Sequence, residues 1–174
     1  DVNPSGKLTT TFPYTSGQCP MYYDHINTGR PAGKSKFTSK YLDVPSEPVY
    51  PFGYGLSYTT YEYSNQEVTE EENHVIVRAR VKNTGEREGM EVVQCYFHDR
   101  TAKRVRPVKK LVDFEKIKIA AGEEKEVCFV IPKEKLGYYD MKMKFIVETG
   151  EYEFYVGGNS KDCLTCRLNL VKGK

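Results

Sequence analysis

The sequence predicts an all-β fold, and three observations lead to that prediction. Downstream of residue 60, short stretches alternate apolar and polar side chains, which is the pattern of half-buried strands. Turn-forming residues separate these stretches at intervals of about 8–12 residues, and no stretch has the period of a long helix. About seven short strands with such turns are typical of a two-sheet sandwich of the fibronectin type III or immunoglobulin-like kind.

The first part of the chain has a different composition. Up to residue 60, Pro, Gly, Ser and Thr recur every few residues without a sustained period. We therefore predict a largely irregular segment over residues 1–60 and the sandwich over residues 61–171. The two parts meet at the stretch Tyr50-Pro51-Phe52-Gly53-Tyr54-Gly55-Leu56-Ser57-Tyr58. Its glycines permit positive φ or close backbone contact, and its rings provide faces to pack, so we expect an anchored turn.

Apolar residues within short stretches predict the individual strands, and in most of these stretches they alternate along one face. The sets are Val75, Val77, Ala79 and Val81; Val93, Cys95 and Phe97; Phe114, Ile117 and Ile119; and Val127, Phe129 and Ile131. Two further strands, 145–147 and 152–156, are expected to form a hairpin around residues 148–151. The last strand is expected at residues 164–171, and a single helical turn at residues 133–136.

The N-terminal segment carries more aromatic rings than an irregular stretch can bury by itself. A Thr-rich stretch after Leu8 predicts one edge strand, and turn residues separate the remaining motifs. We expect the rings to pack on the following sandwich, to pack on a preceding domain, or to mediate self-association. They belong to Phe12, Tyr14, Tyr22, Tyr23, Tyr41 and Tyr50.

Charge and hydropathy argue against two classes of partner. The net charge is +2, and 29% of the residues are charged with both signs interspersed, so we predict no nucleic-acid partner. No run of about 18 apolar residues occurs, so we predict no membrane partner. We interpret the basic stretch over residues 100–110 as a solvated loop, because no aromatic residue is interleaved with its Arg and Lys residues.

The five cysteines are interpreted as reduced thiols, because their number is odd and the chain is long enough to fold without disulfides. Unpaired thiols favour the cytoplasm, and the chain carries no N-terminal address that would decide the compartment. Cys95 and Cys128 have apolar neighbours two residues away and are expected to be buried. Cys163 and Cys166 have metal-like spacing, but all three histidines are far from them in the sequence. We therefore predict no metal and no cofactor.

Seven stretches stand out once the strands are placed. They are Asn3-Pro4-Ser5-Gly6-Lys7-Leu8, Tyr22-Tyr23-Asp24-His25 followed by Asn27-Thr28-Gly29-Arg30-Pro31, Tyr50 through Tyr58, Val81-Lys82-Asn83-Thr84-Gly85, Glu91-Val92-Val93-Gln94, Arg106-Pro107-Val108-Lys109, and Gly137-Tyr138-Tyr139-Asp140. In this order they resemble the C-terminal part of the family 3 glycoside hydrolases, the β-glucosidase and β-xylosidase group. The resemblance covers nearly the whole chain.

The resemblance implies a domain order in the parent protein. A (β/α) barrel is followed by an α/β sandwich domain and then by a fibronectin type III-like domain, so residues 1–60 would be the remnant and linker from the second of these. The implied partners are the upstream barrel and α/β sandwich domains, together with an oligosaccharide or glycoside substrate. The implied parent activity is retaining hydrolysis of O-glycosyl bonds.

Catalytic residues are expected outside this chain. Retaining hydrolysis requires two carboxyl groups about 5–5.5 Å apart. The resemblance implies that both the nucleophile and the acid/base lie upstream. We therefore assign no catalytic residue and predict that the chain alone is inactive.

Tyr22, Tyr23, His25 and Arg30 are the candidate substrate-proximal residues. Within nine residues they combine aromatic faces, an imidazole and a guanidinium, which are groups that bind sugars. The resemblance allows this loop to reach the substrate cleft of the whole enzyme. The alternative is that the tyrosines only attach the segment to its neighbour.

Three functions are open at this point. The chain is an accessory part that stabilises catalytic domains and shapes the rim of the sugar site, an autonomous carbohydrate-binding or adhesion sandwich, or a structural spacer. A binding module requires a coplanar stripe of exposed aromatic residues. Tyr96, Tyr152 and Phe154 are better explained as core residues, which disfavours that function.

Overall fold

The computed structural model describes residues 2–171, which form mainly antiparallel β-structure. Its strands are β1 (Tyr61–Glu70), β2 (His74–Asn83), β3 (Gly89–Asp99), β4 (Lys110–Ile119), β5 (Glu124–Pro132), β6 (Tyr138–Tyr139), β7 (Phe145–Ile146), β8 (Gly150–Gly157) and β9 (Cys163–Leu170). One sheet has the strand order β1-β2-β5 and the other β4-β3-β8-β9, while β6 and β7 pair with each other. The seven strands of the two larger sheets confirm the predicted all-β sandwich.

The hydrophobic core lies between these two sheets. Val77 pairs with Phe129 across β2 and β5, and Phe97 pairs with Phe154 across β3 and β8. Because side chains alternate across a strand, the positions that share this register point to the same side of their sheet. The buried core contains Val75, Val77, Ala79, Val81, Val93, Cys95, Phe97, Ile119, Val127, Phe129, Ile131, Leu136, Tyr152, Phe154, Val156 and Leu170.

The first strand, β1, was not predicted by the alternation. Val68 is its only aliphatic residue, and Tyr61 and Tyr63 pack against the core in place of aliphatic side chains. Its pairing with β2 shifts between Ser64 and Glu67. A β-bulge of this kind interrupts the period of two, so a polar, bulged strand escapes a search for alternating aliphatic residues.

The predicted hairpin between residues 145–147 and 152–156 is wrong. Strand β7 pairs with β6, with Tyr139 opposite Phe145, whereas β8 lies between β3 and β9. Oδ1 of Asp140 accepts hydrogen bonds from the backbone N–H groups of Lys142 and Lys144 at 2.8 and 2.9 Å. This turn returns the chain to β6 before β8 begins.

Two side chains of the predicted strands face solvent, and for one of them, Cys128, burial was expected. Phe114 on β4 is 62% exposed, because it lies opposite Gln94 on the outer face of its sheet. Ile117 and Ile119 of the same strand do pack in or against the core. Cys128 is exposed because it lies opposite Arg78 on the outer face of the three-stranded sheet.

The N-terminal segment, residues 2–60, contains little regular structure. The edge strand predicted after Leu8 is wrong. The backbone N–H of Leu8 donates to the carbonyl of Tyr54, and the N–H of Gly53 donates to the carbonyl of Leu8, each at 2.8 Å. An isolated bridge pairs Phe12 with Tyr50. Two extended stretches therefore lie side by side without forming a continuous ladder.

Within residues 2–171, the helical elements are two 3-10 helices, Ser16–Gln18 and Lys133–Leu136. The second is the helical turn predicted from the sequence. Neither is long and apolar enough to cross a membrane.

The turn at residues 50–58 is anchored at both of its central glycines. Gly53 has a φ of 80°, in the left-handed region that favours glycine. Gly55 lies so close to Gly6 that a Cβ would be 2.4 Å from the carbonyl oxygen of that residue. The N–H of Ser160 donates to the carbonyl of Phe52 at 2.8 Å, so the turn is also bound to the loop between β8 and β9.

Candidate functional site

The N-terminal segment packs on the outer face of the four-stranded sheet, where Tyr23 makes the central aromatic contact. Its ring stacks on Phe52 with centroids 4.2 Å apart, and it meets the ring of Tyr96 edge-on at 5.9 Å. Its hydroxyl accepts a hydrogen bond from the N–H of Leu111 at 3.3 Å. Burial raises the pKa of Tyr23, so this hydroxyl is protonated at neutral pH.

Gln94 is the polar centre of the same contact, and it is 3% exposed. Its Nε2 donates to the carbonyls of Gly53 at 3.2 Å and Gly158 at 2.6 Å, and its Oε1 accepts from the hydroxyl of Tyr96. Both amide hydrogens are therefore used, one toward the N-terminal segment and one toward the β8–β9 loop. A Cβ at Gly53 would lie 2.0 Å from Oε1 of Gln94, so only glycine allows this close approach.

A second polar contact joins the start of the N-terminal segment to the sandwich. Nζ of Lys7 lies 3.0 Å from Oε1 of Glu91, and the hydroxyl of Tyr63 donates to the same oxygen at 2.8 Å. Glu91 is 4% exposed, so these two partners compensate the burial of its charge. Burial, and then the charge of Glu91, raise the pKa of Tyr63 far above its usual value.

Lys109 and Arg106 of the basic stretch make structural contacts, so its interpretation as a solvated loop is wrong for them. Nζ of Lys109 donates to the carbonyl of Ser160 at 2.6 Å and lies 4.2 Å from the ring centroid of Tyr155. Burial lowers the pKa of Lys109. The guanidinium of Arg106 lies 4.4 Å from the ring centroid of Tyr138. Both contacts position the loop that carries residues 105–109.

A groove of about 760 Å³ opens within the N-terminal segment. Gln18 lies at this groove and is 2% exposed; its Oε1 accepts from the N–H of Tyr14 and its Nε2 donates to the carbonyl of Pro45, both at 2.8 Å. These bonds hold together two stretches that are distant in sequence. The aromatic, charged and amide side chains that line the groove include Tyr22, His25, Asn27, Lys40, Tyr41 and Glu47.

The structure brings three of the four candidate residues together, because Tyr22, Tyr23 and His25 line a second, smaller pocket that shares Tyr22 and His25 with the groove. Tyr22 and His25 line the groove, and the ring of Tyr22 is 63% exposed. Tyr23 instead contacts the sandwich and attaches the segment to it. Arg30 is exposed and is not among the residues that line the groove; its carbonyl accepts from the N–H of Ser39 at 2.9 Å. A role of these four residues toward a substrate stays a prediction.

Two residues that organise the site, Gln18 and Gln94, were missed by the sequence analysis. Their backbone partners Pro45 and Gly53 are 27 and 41 positions away. An isolated glutamine gives no sequence signal of such a contact, because buried amides are recognised only by their partners. The one indirect signal was the glycine-rich aromatic turn at residues 50–58. Its glycines predicted a close neighbour, which in the structure is Gln94 at Gly53.

The groove has the chemistry of a binding surface. Among its described lining residues Glu47 is the one carboxylate, and it pairs with Lys161 of the β8–β9 loop. Retaining hydrolysis requires a second carboxyl group across the scissile bond. The lining therefore offers aromatic faces and hydrogen-bonding groups, without a nucleophile and acid/base pair.

All five cysteines are free, and Cys95 is buried as predicted. Burial raises the pKa of both Cys163 and Cys166 to about 11, so their thiols are protonated at neutral pH. Protonated thiols are poor nucleophiles and poor metal ligands. In the part of the chain that the structure describes, no group of three His, Cys, Asp or Glu side chains is placed to hold a metal ion.

Comparison with known proteins gives matches over nearly the whole chain. Residues 91–160 match the fibronectin type III-like domain family. The chain is 45% identical over 167 residues to the periplasmic β-glucosidase of Salmonella typhimurium, covering 92% of this chain and 22% of that protein. It is 40% identical over 177 residues to a putative β-xylosidase of Formosa agariphila, covering 99% of this chain and 22% of that protein.

Solved structures give the same assignment. The β-glucosidase from Listeria innocua in complex with glucose superposes with a TM-score of 0.89 at 40% identity, covering 96% of this chain and 24% of that chain. The chain thus spans about a fifth to a quarter of the length of these relatives, and it matches their C-terminal part. It belongs to the family 3 glycoside hydrolases, as a C-terminal part of the β-glucosidase and β-xylosidase group.

Proposed function

We propose that this chain is the accessory C-terminal part of a retaining, β-glucosidase-like enzyme. It stabilises the catalytic domains, shapes the rim of the sugar site and contributes no catalytic group. The observation that carries this proposal is the attachment of the N-terminal segment to the sandwich at Tyr23, Gln94 and Lys7, which leaves the groove beside Tyr22 and His25 open.

The two parts of the chain have separate roles in this proposal. Residues 1–60 complete the α/β sandwich domain that precedes them, and residues 61–171 are the domain on which they rest. In support, most of the exposed large apolar side chains of the described residues lie in the N-terminal segment. Those more than half exposed include Tyr14, Phe37, Leu42, Leu56 and Tyr58. Contact with the upstream barrel and α/β sandwich domains would cover them.

The rim of the sugar site is proposed to include Tyr22 and His25. An exposed tyrosine face packs on the apolar face of a sugar ring, and an imidazole donates to or accepts from sugar hydroxyls. Tyr23 acts on this rim indirectly, because its stacking on Phe52 fixes the neighbouring backbone. Arg30 lies outside the groove and would contact only an extended glycoside substrate.

The test uses the full-length enzyme that contains this chain. Tyr22→Ala is expected to lower kcat/KM for an aryl β-glucoside about tenfold, mainly through KM, because a rim contact acts on bound substrate and transition state alike. Val130→Ala is the matched control, since Val130 is 52% exposed on the outer face of the three-stranded sheet and does not line the groove. Unchanged kinetics for Tyr22→Ala would contradict the rim role.

The isolated chain provides a second test. We expect it to hydrolyse no aryl glucoside, because its groove lacks a carboxylate pair. We also expect no millimolar binding of glucose or cellobiose, because Tyr152 and Phe154 lie in the core and Tyr96 is covered by Tyr23. Specific glycan binding by the isolated chain would favour an autonomous carbohydrate-binding or adhesion module instead.

A further inference from the structure

The hairpin formed by β6 and β7 exposes a cluster of large apolar side chains. Tyr139 is 61%, Met141 82%, Met143 77% and Phe145 49% exposed. These four side chains, which we name the hairpin surface, lie within seven residues. Single exposed apolar side chains are common on proteins, but a contiguous group marks a surface that binds something.

Hydrogen bonds and ring packing hold the backbone of the hairpin in one conformation. The four side chains of the hairpin surface therefore have defined positions. Asp140 closes the turn with two hydrogen bonds, and Met143 has a φ of 58°. The rings of Tyr139 and Phe145 meet edge-on with centroids 5.3 Å apart. Gly137 allows Phe145 to lie against the backbone, because a Cβ there would be 2.6 Å from the ring.

The other side of the hairpin is attached to the sandwich. The ring of Tyr138 is buried beneath the guanidinium of Arg106, and its hydroxyl donates to Oε2 of Glu148 at 2.6 Å. Burial, with the hydrogen bond to Glu148, raises the pKa of Tyr138 to about 12. The hairpin therefore turns Tyr138 inward, which leaves the hairpin surface for contacts outside this chain.

A chain of contacts connects the hairpin to the N-terminal segment. Pro107, next to Arg106, forms a bridge with Ile26, and the N–H of Val108 donates to the carbonyl of His25 at 3.0 Å. Ile26 is 49% and Val105 is 70% exposed. Backbone contacts thus connect the N-terminal segment to the loop at residues 105–108, and Arg106 of that loop contacts the hairpin.

Two positive charges flank the hairpin surface. Within residues 2–171, Lys142 and Lys144 form no ion pair. An occupant that presents an apolar patch bordered by carboxylates would complement both features.

We propose that the hairpin surface docks against the domains that precede this segment in the longer relatives, as a second attachment point beside the N-terminal segment. This inference rests on the proposed function. It is supported by the four exposed apolar side chains of the hairpin surface, by the contacts that connect the hairpin to the N-terminal segment, and by the relatives' length, of which this chain spans 22%. The docking would fix the sandwich at two separated places, so that it cannot rotate about the turn at residues 50–58.

Methionine oxidation tests this proposal, because the four methionines of the chain report on different places. Met141 and Met143 report on the hairpin, Met21 lines the groove, and Met90 lines a separate open pocket beside Glu91. Sulfoxide formation by peroxide is followed by mass spectrometry in the isolated chain and in the full-length protein. Oxidation follows exposure, so Met141 and Met143 are expected to react about tenfold more slowly in the full-length protein, with Met90 unchanged.

The outcomes separate this inference from the proposed function. Protection of Met21 with equal rates at Met141 and Met143 would overturn the docking of the hairpin and leave the accessory role intact. Equal rates at Met21, Met141 and Met143 would overturn both. Protection of Met141 and Met143 that rises with the concentration of the isolated chain would assign the surface to a second copy and overturn the proposal.

A charge substitution gives an independent readout. The double variant Met141→Glu with Met143→Glu in the full-length protein is expected to lower the midpoint of thermal unfolding and to make the sandwich more sensitive to limited proteolysis. In the isolated chain the same variant is expected to leave unfolding unchanged, because both side chains already face water. Val130→Glu is the matched control, since Val130 is 52% exposed on the outer face of the three-stranded sheet. Equal effects in both proteins would overturn the proposal.

Discussion

The sandwich and the N-terminal segment bury aromatic rings by different means. In the sandwich, Tyr152 and Phe154 lie on a central strand whose backbone is paired on both sides, so the ladder alone directs them into the core. In the N-terminal segment no ladder exists, and Tyr23 is placed by a stacked ring and one hydrogen bond. Phe52 and Tyr54 are also partly buried, whereas the remaining rings of the segment are exposed.

This difference shows which interactions hold each region. The sandwich depends on apolar area removed from water between two sheets, a term that is distributed over many side chains. The N-terminal segment depends on a few polar contacts, chiefly those of Gln94 and of Lys7 with Glu91. Removal of one such contact should therefore release the segment without unfolding the sandwich, whereas a core substitution should destabilise both.

The largest effect is expected for Phe154→Ala in the shared core. Phe154 is fully buried, and a cavity of this size costs about 3–5 kcal/mol of unfolding free energy. Urea unfolding followed by circular dichroism measures it. Phe114→Ala is the control, because Phe114 is mostly exposed and should change stability by less than about 0.5 kcal/mol. Similar losses for both variants would contradict the separation of inner and outer faces.

A smaller effect is expected for Gln94→Ala, which removes the polar centre of the interface. The carbonyl of Gly53 and the hydroxyl of Tyr96 lose their partner, at a cost of about 1–3 kcal/mol. Hydrogen exchange should show the amides of Leu8 and Gly53 losing protection while the β2–β5 ladder keeps it. Gln66→Ala serves as the control, since Gln66 donates to the carbonyl of Phe154 within the sandwich. Uniform loss of protection would mean that the two regions unfold together.

A gain in stability is expected for Asp99→Asn, because Asp99 is a buried carboxylate at the end of β3 in the sandwich. Asp99 is 4% exposed, and within the described residues its Oδ2 has no hydrogen-bond partner. Burial raises the pKa of Asp99 above 3.8, so the charged form destabilises the native state at neutral pH. We expect Asp99→Asn to add about 1 kcal/mol at pH 7.

The pH dependence of the stability gained by Asp99→Asn tests whether burial of the carboxylate charge causes the gain. As the pH falls through the raised pKa and then through 3.8, the carboxyl becomes neutral in both states and the difference between the proteins should vanish. Unfolding midpoints measured from pH 3 to pH 7 test this sign. A gain that stays constant with pH would contradict the assignment to burial of charge.

The smallest effect is expected for Cys128→Ser. Cys128 is exposed on the outer face of the three-stranded sheet, which the N-terminal segment does not cover. The change should be within about 0.5 kcal/mol, as at other surface positions. Cys95→Ser is the comparison, because Cys95 is fully buried and an added hydroxyl there lacks a partner. Equal losses of stability at the two cysteines would contradict the placement of Cys95 in the core and of Cys128 on a solvent-facing surface.

Much of the fold could be predicted from the alternation of apolar and polar residues. The errors arose where alternation is interrupted or does not specify the partner strand. The sets around Val77, Val93 and Phe129 were placed correctly because their alternation with polar residues depends only on neighbouring positions. Strand β1 was missed because its bulge breaks that period. The pairing of Phe145 was assigned wrongly because Asp140 selects the nearer partner strand through side-chain hydrogen bonds that alternation does not encode.

The candidate site was less predictable than the fold. Neighbouring Tyr22 and Tyr23 have the same chemistry in the sequence, yet one lines the groove and the other contacts the sandwich. That choice depends on Phe52 and Tyr96, which are distant along the chain. Gln18 and Gln94 were missed for the same reason.

The sequence by itself determined that the chain is a two-sheet β sandwich with an irregular N-terminal segment, and its motifs indicated the family. Both inferences rest on local order, because strand period and motif order are properties of adjacent residues. Only the tertiary structure decided which rings are covered, which amides join the two parts and which apolar surface stays open. Those outcomes depend on partners far apart in sequence, where burial and hydrogen-bond satisfaction are set by the packing of the whole chain.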